Sequence, residues 1–250
     1  MSRFSQTKKK PIFFRFVRFF VGMIFRKPEF LGMENLTEEP CLIISNHAQA
    51  NGPVLNELYY PRKKYIWCIG QMMKMKEVPA YSYKDFWSNK PKWIKWFYKI
   101  LSYLIAPLSS YVFNRADAIA VYKDTRIVST YRETMSKLDE GADIVIFPEK
   151  LGNYNEIVNE FQDKFIDVAR LYYKKTGKIL SFIPTYNAAS IRKIVFGRAI
   201  KYDPNLKMDE QRKIICKYLQ EEITRIALEL PRHKVIPYEN IGKRKRKYSK

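Results

Sequence analysis

The stretch CLIISNHAQANGP, residues 41–53, decides the fold because it joins an apolar run to a helix start through a short polar loop. Its first five residues are almost continuously apolar, which predicts a strand buried on both faces. Pro53 suits the first turn of a helix, because proline lacks the backbone donor that a helix N-terminus leaves unpaired. His47, one of only two histidines in the chain, therefore follows directly after a strand end.

The alternation of strand and helix patterns continues along the chain. Further strands are predicted at EFLGMENL (29–36), KYIWCIG (64–70), YVFNR (111–115), DIVIFPE (143–149), KILSFIPTY (178–186) and RKIVFGRAIKY (192–202). Helices are predicted over residues 118–140, 156–175 and 209–230. Strands that alternate with helices indicate an α/β protein, and we predict a single domain over residues 28–232 with a mixed, largely parallel sheet flanked by helices.

Polar or charged residues follow three of these predicted strands. They are Asn46 with His47, Arg115, and Glu149. Ligands of open α/β sheets bind at the carboxyl ends of the strands. We therefore expect a base, a cation and a carboxylate to meet there, a set that suits chemistry on a hydroxyl and a phosphate.

The charge of the chain favours an anionic partner. Its 250 residues carry 46 Lys and Arg against 25 Asp and Glu, a net charge of +21. Such a field attracts nucleic acid or an anionic lipid surface. The three cysteines are widely spaced and form no C-x-x-C pair, so neither a disulfide framework nor a metal site is predicted, and a reducing compartment is expected.

The N-terminal residues 1–27 are predicted to form a basic amphipathic helix. Its apolar stretch, residues 12–25, is shorter than the roughly 20 residues that a membrane span needs. Phenylalanines beside Arg15, Arg18 and the lysines at 8–10 are typical of a segment that lies on anionic lipid, although docking on the core would also bury them. We expect a peripheral protein on the cytoplasmic face of the cell membrane.

Two further regions are rich in basic residues. Trp93, Trp96, Phe97 and Tyr98 are interleaved with lysines, which is typical of an interfacial belt. Residues 233–250 form a basic C-terminal tail, which we expect to be solvated or to face lipid. His233, at its start, has no neighbouring motif and is predicted to be non-catalytic.

Four short blocks of the chain resemble the glycerolipid acyltransferase family typified by bacterial lysophosphatidic acid acyltransferases. The family has, in order, N-H-x-x-x-x-D, a block similar to F-x-x-R, F-P-E-G-x-R, and an apolar strand that ends in a proline. The counterparts are NHAQANGP, VFNR, FPEKLGN and LSFIPTYN, within about residues 28–202. No single block is specific, but four in this order are a much stronger signal.

The resemblance implies an activity and a set of roles. A histidine of the family takes the proton of a glycerol hydroxyl, which attacks the thioester of acyl-CoA or acyl-carrier protein. His47 would be this base and Glu149 the block-three glutamate, while Asn46, Arg115 and Lys150 would contact the substrate. The expected acceptor is a lysophospholipid or glycerol phosphate, with no tightly bound cofactor and no metal.

The chain departs from the family pattern at three positions. Gly52 stands where the family has the aspartate that orients the histidine, Lys150 replaces a glycine, and Gly152 replaces an arginine. Loss of the orienting aspartate lowers turnover about 10⁴-fold in serine proteases. The ring of His47 could instead be oriented by a carboxylate or by a neutral group; the candidates are Glu57, Asp117, Asn51 and Gln49.

Two other classes of function remain open from the sequence. A non-catalytic, lipid-binding relative of the family would explain the three departures together. A nucleic-acid-binding protein would explain the charge and the interleaved aromatic residues, but the chain has no recognised nucleic-acid motif. We therefore expect no nucleic-acid partner.

Overall fold

The computed structural model describes residues 10–87, 91–239, 242, 244 and 246–249. Its strands are β1 Glu29–Leu31, β2 Leu42–Ser45, β3 Lys64–Ile69, β4 Ala118–Val121, β5 Asp143–Ile146, β6 Glu149–Tyr154, β7 Asn159–Phe161, β8 Ser181–Ala188, β9 Lys193–Phe196 and β10 Ile200–Lys201. Its helices are α1 Ile12–Ile24, α2 Asn51–Tyr59, α3 Val78–Ser82, α4 Lys95–Arg115, α5 Ile127–Asp139, α6 Asp167–Thr176 and α7 Met208–Glu229. Lys8 and Lys9 near the N-terminus and Lys243 and Lys245 of the tail lie outside the described residues.

The main sheet has the strand order β1-β9-β8-β2-β5-β3-β4, with β10 also paired to β8. The five strands from β8 to β4 run parallel to one another. β9 and β10 are antiparallel to β8, and β1 pairs parallel with β9. β6 and β7 form a separate antiparallel hairpin. The sheet is therefore mixed and mainly parallel, as the sequence predicts.

Strand β2 lies in the middle of the sheet, and all four of its residues are fully buried. Its apolar composition requires this position, because a strand covered on both faces has no solvent-facing side chains. Helix α7 packs against β8, and α5 packs against β4 and β5. The buried face of α7 repeats at helical spacing through Ile215, Leu219 and Ile223. The predicted α/β class with flanking helices is confirmed.

The chain divides into two compact units. One consists of the described residues up to Arg26 together with Gln71–Ala116, and it contains α1, α3 and α4. The other consists of Lys27–Gly70 and the described residues from Asp117 onward, and it contains the whole sheet. Helices α2, α5, α6 and α7 belong to the same unit as the sheet.

In the helical unit, α1 and α4 expose many large apolar side chains. On α1 these are Ile12, Phe13, Phe16, Phe19, Phe20, Met23 and Ile24. On α4, and just before it, they are Trp93, Trp96, Phe97, Ile100, Tyr103, Leu104 and Leu108. The rings of Phe13 and Tyr111 pack edge to face at 5.4 Å, so the two helices are in contact. Within the described part of the chain, no helix has both the length and the apolar character needed to cross a bilayer.

The predicted strand YVFNR is wrong, because these residues form the last turns of α4. Tyrosine, valine and phenylalanine favour strands only weakly and according to context, and the helix that precedes them continues through them. The amide of Ala116 still donates to the carbonyl of Val112, as in a helix end. The strand forms just afterwards as β4, which takes the first residues of the predicted helix 118–140.

The predicted helix over residues 156–175 is wrong in its first half, which lies in the β6–β7 hairpin. Its apolar residues Ile157 and Phe161 are buried, but they belong to the hairpin and not to a helix face. The side chain of Asn155 accepts hydrogen bonds from the amides of Ile157 and Val158, an arrangement that favours a turn. Glu156 has a positive φ of 73°, so a helix cannot pass through it.

Candidate active site

The loop after β2 has an unusual backbone conformation. Ala48 and Gln49 both have positive φ, 45° and 57°, which is uncommon for residues with a Cβ. Asn51 stabilises the turn, because its side-chain and backbone nitrogens donate to the carbonyl of Ala48 at 2.9 and 3.1 Å. The amide of Gly52 donates to the carbonyl of His47 at 3.0 Å. The chain thus turns back on itself before α2 begins.

This turn brings the backbone carbonyl of Gln49 to Nδ1 of His47, with which it forms a short hydrogen bond. A carbonyl oxygen can only accept, so Nδ1 carries the proton and the neutral ring has its lone pair on Nε2. The rings of Phe147 and Tyr238 flank the imidazole edge to face at 5.3 and 5.4 Å. In this tautomer the lone pair of Nε2 is available to accept a proton.

Glu149, the first residue of β6, holds the start of this loop through a side-chain hydrogen bond. Its carboxylate is 2 % exposed, and its two oxygens accept the amide protons of His47 at 2.5 Å and of Asn159 at 3.0 Å. Burial raises the pKa of Glu149 to about 7, although the two backbone hydrogen bonds oppose the shift. The side chain thus connects the His47 loop to strand β7.

Asn46 is buried in a network with the end of β8. Its amide oxygen accepts the backbone amide proton of Asn187 at 2.6 Å, and its nitrogen donates to the Asn187 carbonyl at 3.4 Å. The side chain of Asn187 donates to Ser45 Oγ at 2.6 Å and to the Asn46 carbonyl at 3.0 Å. Asn46 is 1 % exposed, so these contacts extend the β2–β8 pairing up to His47.

The position of the expected aspartate leaves no room for a side chain. A Cβ built on Gly52 would lie 2.6 Å from the carbonyl oxygen of His47, 2.8 Å from the Phe147 ring and 2.9 Å from the carbonyl oxygen of Asn46. Contacts this short do not occur for real Cβ atoms. Glycine is therefore part of the tight turn, and the turn itself supplies the carbonyl that orients His47.

Two of the carboxylates considered as orienting groups meet at a lysine. Lys64 Nζ lies 2.6 Å from Glu57 and 3.4 Å from Asp117, and Lys64 itself is buried. The Asn51 side chain contacts the turn, and Gln49 contributes its backbone carbonyl to the ring. The orienting group that the structure shows is therefore neutral and belongs to the backbone.

The two predicted cations have different surroundings. Lys150 lies on the β6–β7 hairpin with its Nζ 3.0 Å from Glu160, and both side chains are exposed. Arg115 belongs to the helical unit, at the C-terminal end of α4, where its guanidinium lies over the ring of Tyr111 at 5.3 Å. Among the described residues, no group of three or more His, Cys, Asp and Glu side chains could hold a metal ion.

Sequence reasoning missed several residues around His47. Asn187 is the last residue of the LSFIPTYN block, near the C-terminal end of β8, and could have been identified as another polar residue at a strand end. Tyr238 lies in the C-terminal tail, far from His47 in sequence, and belongs to no motif.

The second histidine, His233, is buried. Its Nδ1 donates to the Pro231 carbonyl at 2.8 Å, and its Nε2 accepts a hydrogen bond from Tyr186 Oη at 2.9 Å.

We expect Gly52→Asp to destabilise the protein by about 1–3 kcal/mol, the usual penalty for overpacking a tight site, and to give no gain in activity. Gly242→Asp is the matched control, because a Cβ at Gly242 meets nothing within 4 Å. Urea unfolding of both variants measures the difference. A Gly52→Asp variant as stable as the control would contradict the close approach.

Ionisation of Glu149 should lower the free energy of unfolding as pH rises. The folded-state pKa of Glu149, about 7, lies above its ordinary value of 4.5, so the stabilising contribution of this side chain is complete below the lower value and is lost as pH rises through the higher one. We expect the free energy of unfolding of the wild type to fall between pH 5 and pH 8 by more than that of Glu149→Gln. The exposed Glu210→Gln variant should retain the wild-type slope, and equal slopes for all three proteins would refute the expectation.

Comparison with protein-family models gives no match, and no curated protein is similar in sequence. Among solved structures, the crystal structure of the 1-acyl-sn-glycerophosphate (LPA) acyltransferase PlsC from Thermotoga maritima is similar to this chain, with a TM-score of 0.51. The identity is 13 %, and the likeness covers 87 % of this chain and 81 % of that chain. The chain therefore has an acyltransferase-like fold.

Proposed function

We propose that the protein is an acyltransferase that moves a fatty acyl group from acyl-CoA or acyl-carrier protein to the hydroxyl of a lysophospholipid or glycerol phosphate. The observation that carries the proposal is the hydrogen bond from His47 Nδ1 to the Gln49 carbonyl. It gives the chain an oriented imidazole without the aspartate that the resemblance leads one to expect. The acyltransferase-like fold supports the same class of reaction.

The chemistry follows from the tautomer. Nε2 of His47 takes the proton of the acceptor hydroxyl, and the oxygen attacks the thioester carbonyl, because an alcohol is a poor nucleophile until a base removes its proton. As the tetrahedral intermediate collapses, the C–S bond breaks and the imidazolium returns the proton to the departing thiolate. An ester and a free thiol are formed, and His47 is again neutral.

The remaining predicted residues have supporting roles in this proposal. Glu149 and Asn46 hold the backbone on both sides of His47, and their own polar groups are occupied by backbone partners. Lys150 and Arg115 remain the proposed contacts of the acceptor phosphate. For Lys150 this requires exchange of its exposed partner Glu160 for the phosphate, a small penalty since exposed ion pairs contribute about 0–1 kcal/mol.

We further propose that the helical unit docks on an anionic membrane, at the cytoplasmic face. Ile12 is 82 % exposed and Trp93 is 76 % exposed, in a unit where α1 and α4 are in contact. Exposed apolar groups of this size mark interaction surfaces, and the net charge of +21 adds attraction to anionic lipid. A lipid surface is also where a glycerolipid acceptor is found.

A non-catalytic lipid-binding protein is the second candidate, and Lys150 and Gly152 favour it because the block-three glycine and arginine are both replaced. Such a protein would keep the membrane surface and bind lipid without turnover. The two candidates differ in whether His47 is required for any activity.

His47→Ala should abolish acyl transfer from acyl-CoA to lysophosphatidate by the purified protein in detergent. Without Nε2 no group takes the hydroxyl proton, and loss of a general base lowers rates by about 10²–10⁴-fold. Circular dichroism of both proteins controls for folding. Equal transfer by the variant would remove His47 from the mechanism, and no transfer by the wild type would favour the lipid-binding candidate.

The paired substitution Phe19→Ser and Trp96→Ser should weaken binding to phosphatidylglycerol vesicles by about a hundredfold or more, because each lost aromatic side chain removes about 1.5–3 kcal/mol of apolar burial and about 1.4 kcal/mol corresponds to tenfold. The matched control is Val128→Ser with Leu228→Ser, two exposed apolar residues of the sheet-containing unit. Vesicle co-sedimentation measures the binding. Equal weakening by the control pair would argue against a specific membrane surface.

A further inference from the structure

We propose that Tyr238, Glu239 and Arg246 of the C-terminal tail complete the surroundings of His47, and that Gln49 and Arg246 are positioning residues for it. This inference rests on the proposed function, because it concerns the same imidazole. It assigns a role to a segment whose sequence predicts only a solvated or lipid-facing charge run. Its described residues include buried ones, namely His233, Val235, Ile236 and Ser249.

The tail is anchored at both of its ends. Lys234 and Tyr248 form an antiparallel bridge, the amide of Val235 donates to the Lys247 carbonyl at 2.9 Å, and the amide of Ser249 donates to the His233 carbonyl at 2.9 Å. His233 is bonded in turn to Tyr186 of β8 at 2.9 Å. The backbone of residues 233–235 is therefore paired with that of residues 247–249, and Tyr238, Glu239 and Arg246 lie between these two segments in the sequence.

The tail holds the side chain of Gln49 by both of its polar atoms. Nε2 of Gln49 donates to the Glu239 carbonyl at 2.8 Å, and Oε1 accepts from a guanidinium nitrogen of Arg246 at 2.8 Å. The Tyr238 ring lies against the His47 ring at 5.4 Å, and Lys247 forms an ion pair with Glu156 of the hairpin turn. Contacts thus run from Glu239 and Arg246 to the side chain of Gln49, and from the carbonyl of Gln49 to Nδ1 of His47.

The loop requires such support because of its backbone conformation. Two consecutive residues with a Cβ and positive φ are unfavourable, and they persist only where the surrounding contacts fix them. Asn51 fixes the carbonyl of Ala48, and the tail fixes Gln49. If Gln49 were released, its carbonyl would be able to turn away from Nδ1, and the imidazole would lose its tautomer preference.

The test compares single substitutions in the full-length protein. Gln49→Ala keeps the backbone carbonyl but removes both side-chain contacts, and Arg246→Ala removes the charged one. Each should lower acyl transfer at least about tenfold, the usual effect of losing a hydrogen bond to a charged group, whereas Arg246→Lys should restore part of the rate. Arg244→Ala, which removes an exposed arginine of the same tail, is the matched control and should leave the rate unchanged.

The double variant Gln49→Ala with Arg246→Ala should lose little more activity than either single variant, because both substitutions remove the same contact.

A second readout does not depend on acyl transfer. Imidazole ¹⁵N chemical shifts report which ring nitrogen carries the proton, and the chain has only two histidines, so the signals missing from His47→Ala identify His47. Gln49→Ala and Arg246→Ala should raise the population of the Nε2-protonated tautomer of His47 and leave His233 unchanged. An unchanged His47 tautomer in both variants would overturn the proposal. A higher rate of acyl transfer in the variants would overturn it too, because the tail would then hinder the reaction. If the wild type transfers no acyl group, the proposed function fails while the tautomer measurement still tests the tail.

Discussion

The buried carboxylate of Glu149 is the interaction on which the arrangement around His47 depends. It accepts the amide protons of His47 and Asn159, two backbone groups that belong to different parts of the chain. Without it, both donors would be buried and unpaired, at a penalty of about 1–3 kcal/mol each. Glu149 thereby connects the loop that follows β2 to the β6–β7 hairpin, and this loop carries the imidazole of His47.

In the proposed mechanism, the backbone carbonyl of Gln49 has the role of the aspartate that the resemblance implies, with different electrostatic consequences. Both groups accept the Nδ1 proton and so select the same tautomer. A carboxylate also stabilises the imidazolium by its charge, while a neutral carbonyl contributes a weaker hydrogen bond, about 0.5–1.5 kcal/mol against 1.5–3 kcal/mol. The arrangement therefore retains orientation and gives up part of the charge stabilisation. The close approach of Gly52 to the His47 carbonyl shows that the turn is incompatible with a side chain at that position.

The correctly predicted strands and helices are those whose apolar residues cover a whole buried surface. β2, β3, β5 and β8 each contain a run of three or more apolar residues, and α7 has an apolar face at helical spacing, so local composition and tertiary environment agree. The wrong predictions concern short segments in which the tertiary structure overrides the local preference for strand or helix. YVFNR has strand-forming residues but continues α4, and residues 156–161 have helical spacing but form a hairpin around the Asn155 turn.

The α/β class and the positions of His47 and Glu149 next to the ends of neighbouring strands could be predicted from the amino-acid sequence. Those features follow from composition and from the rule that parallel strands present their carboxyl ends at one edge. Only the tertiary structure decided what orients His47, because a backbone carbonyl has no sequence signature and is available at every residue. The contribution of the tail is of the same kind. Gln49 and Arg246 are 197 positions apart, and only the folded chain brings their side chains within hydrogen-bonding distance.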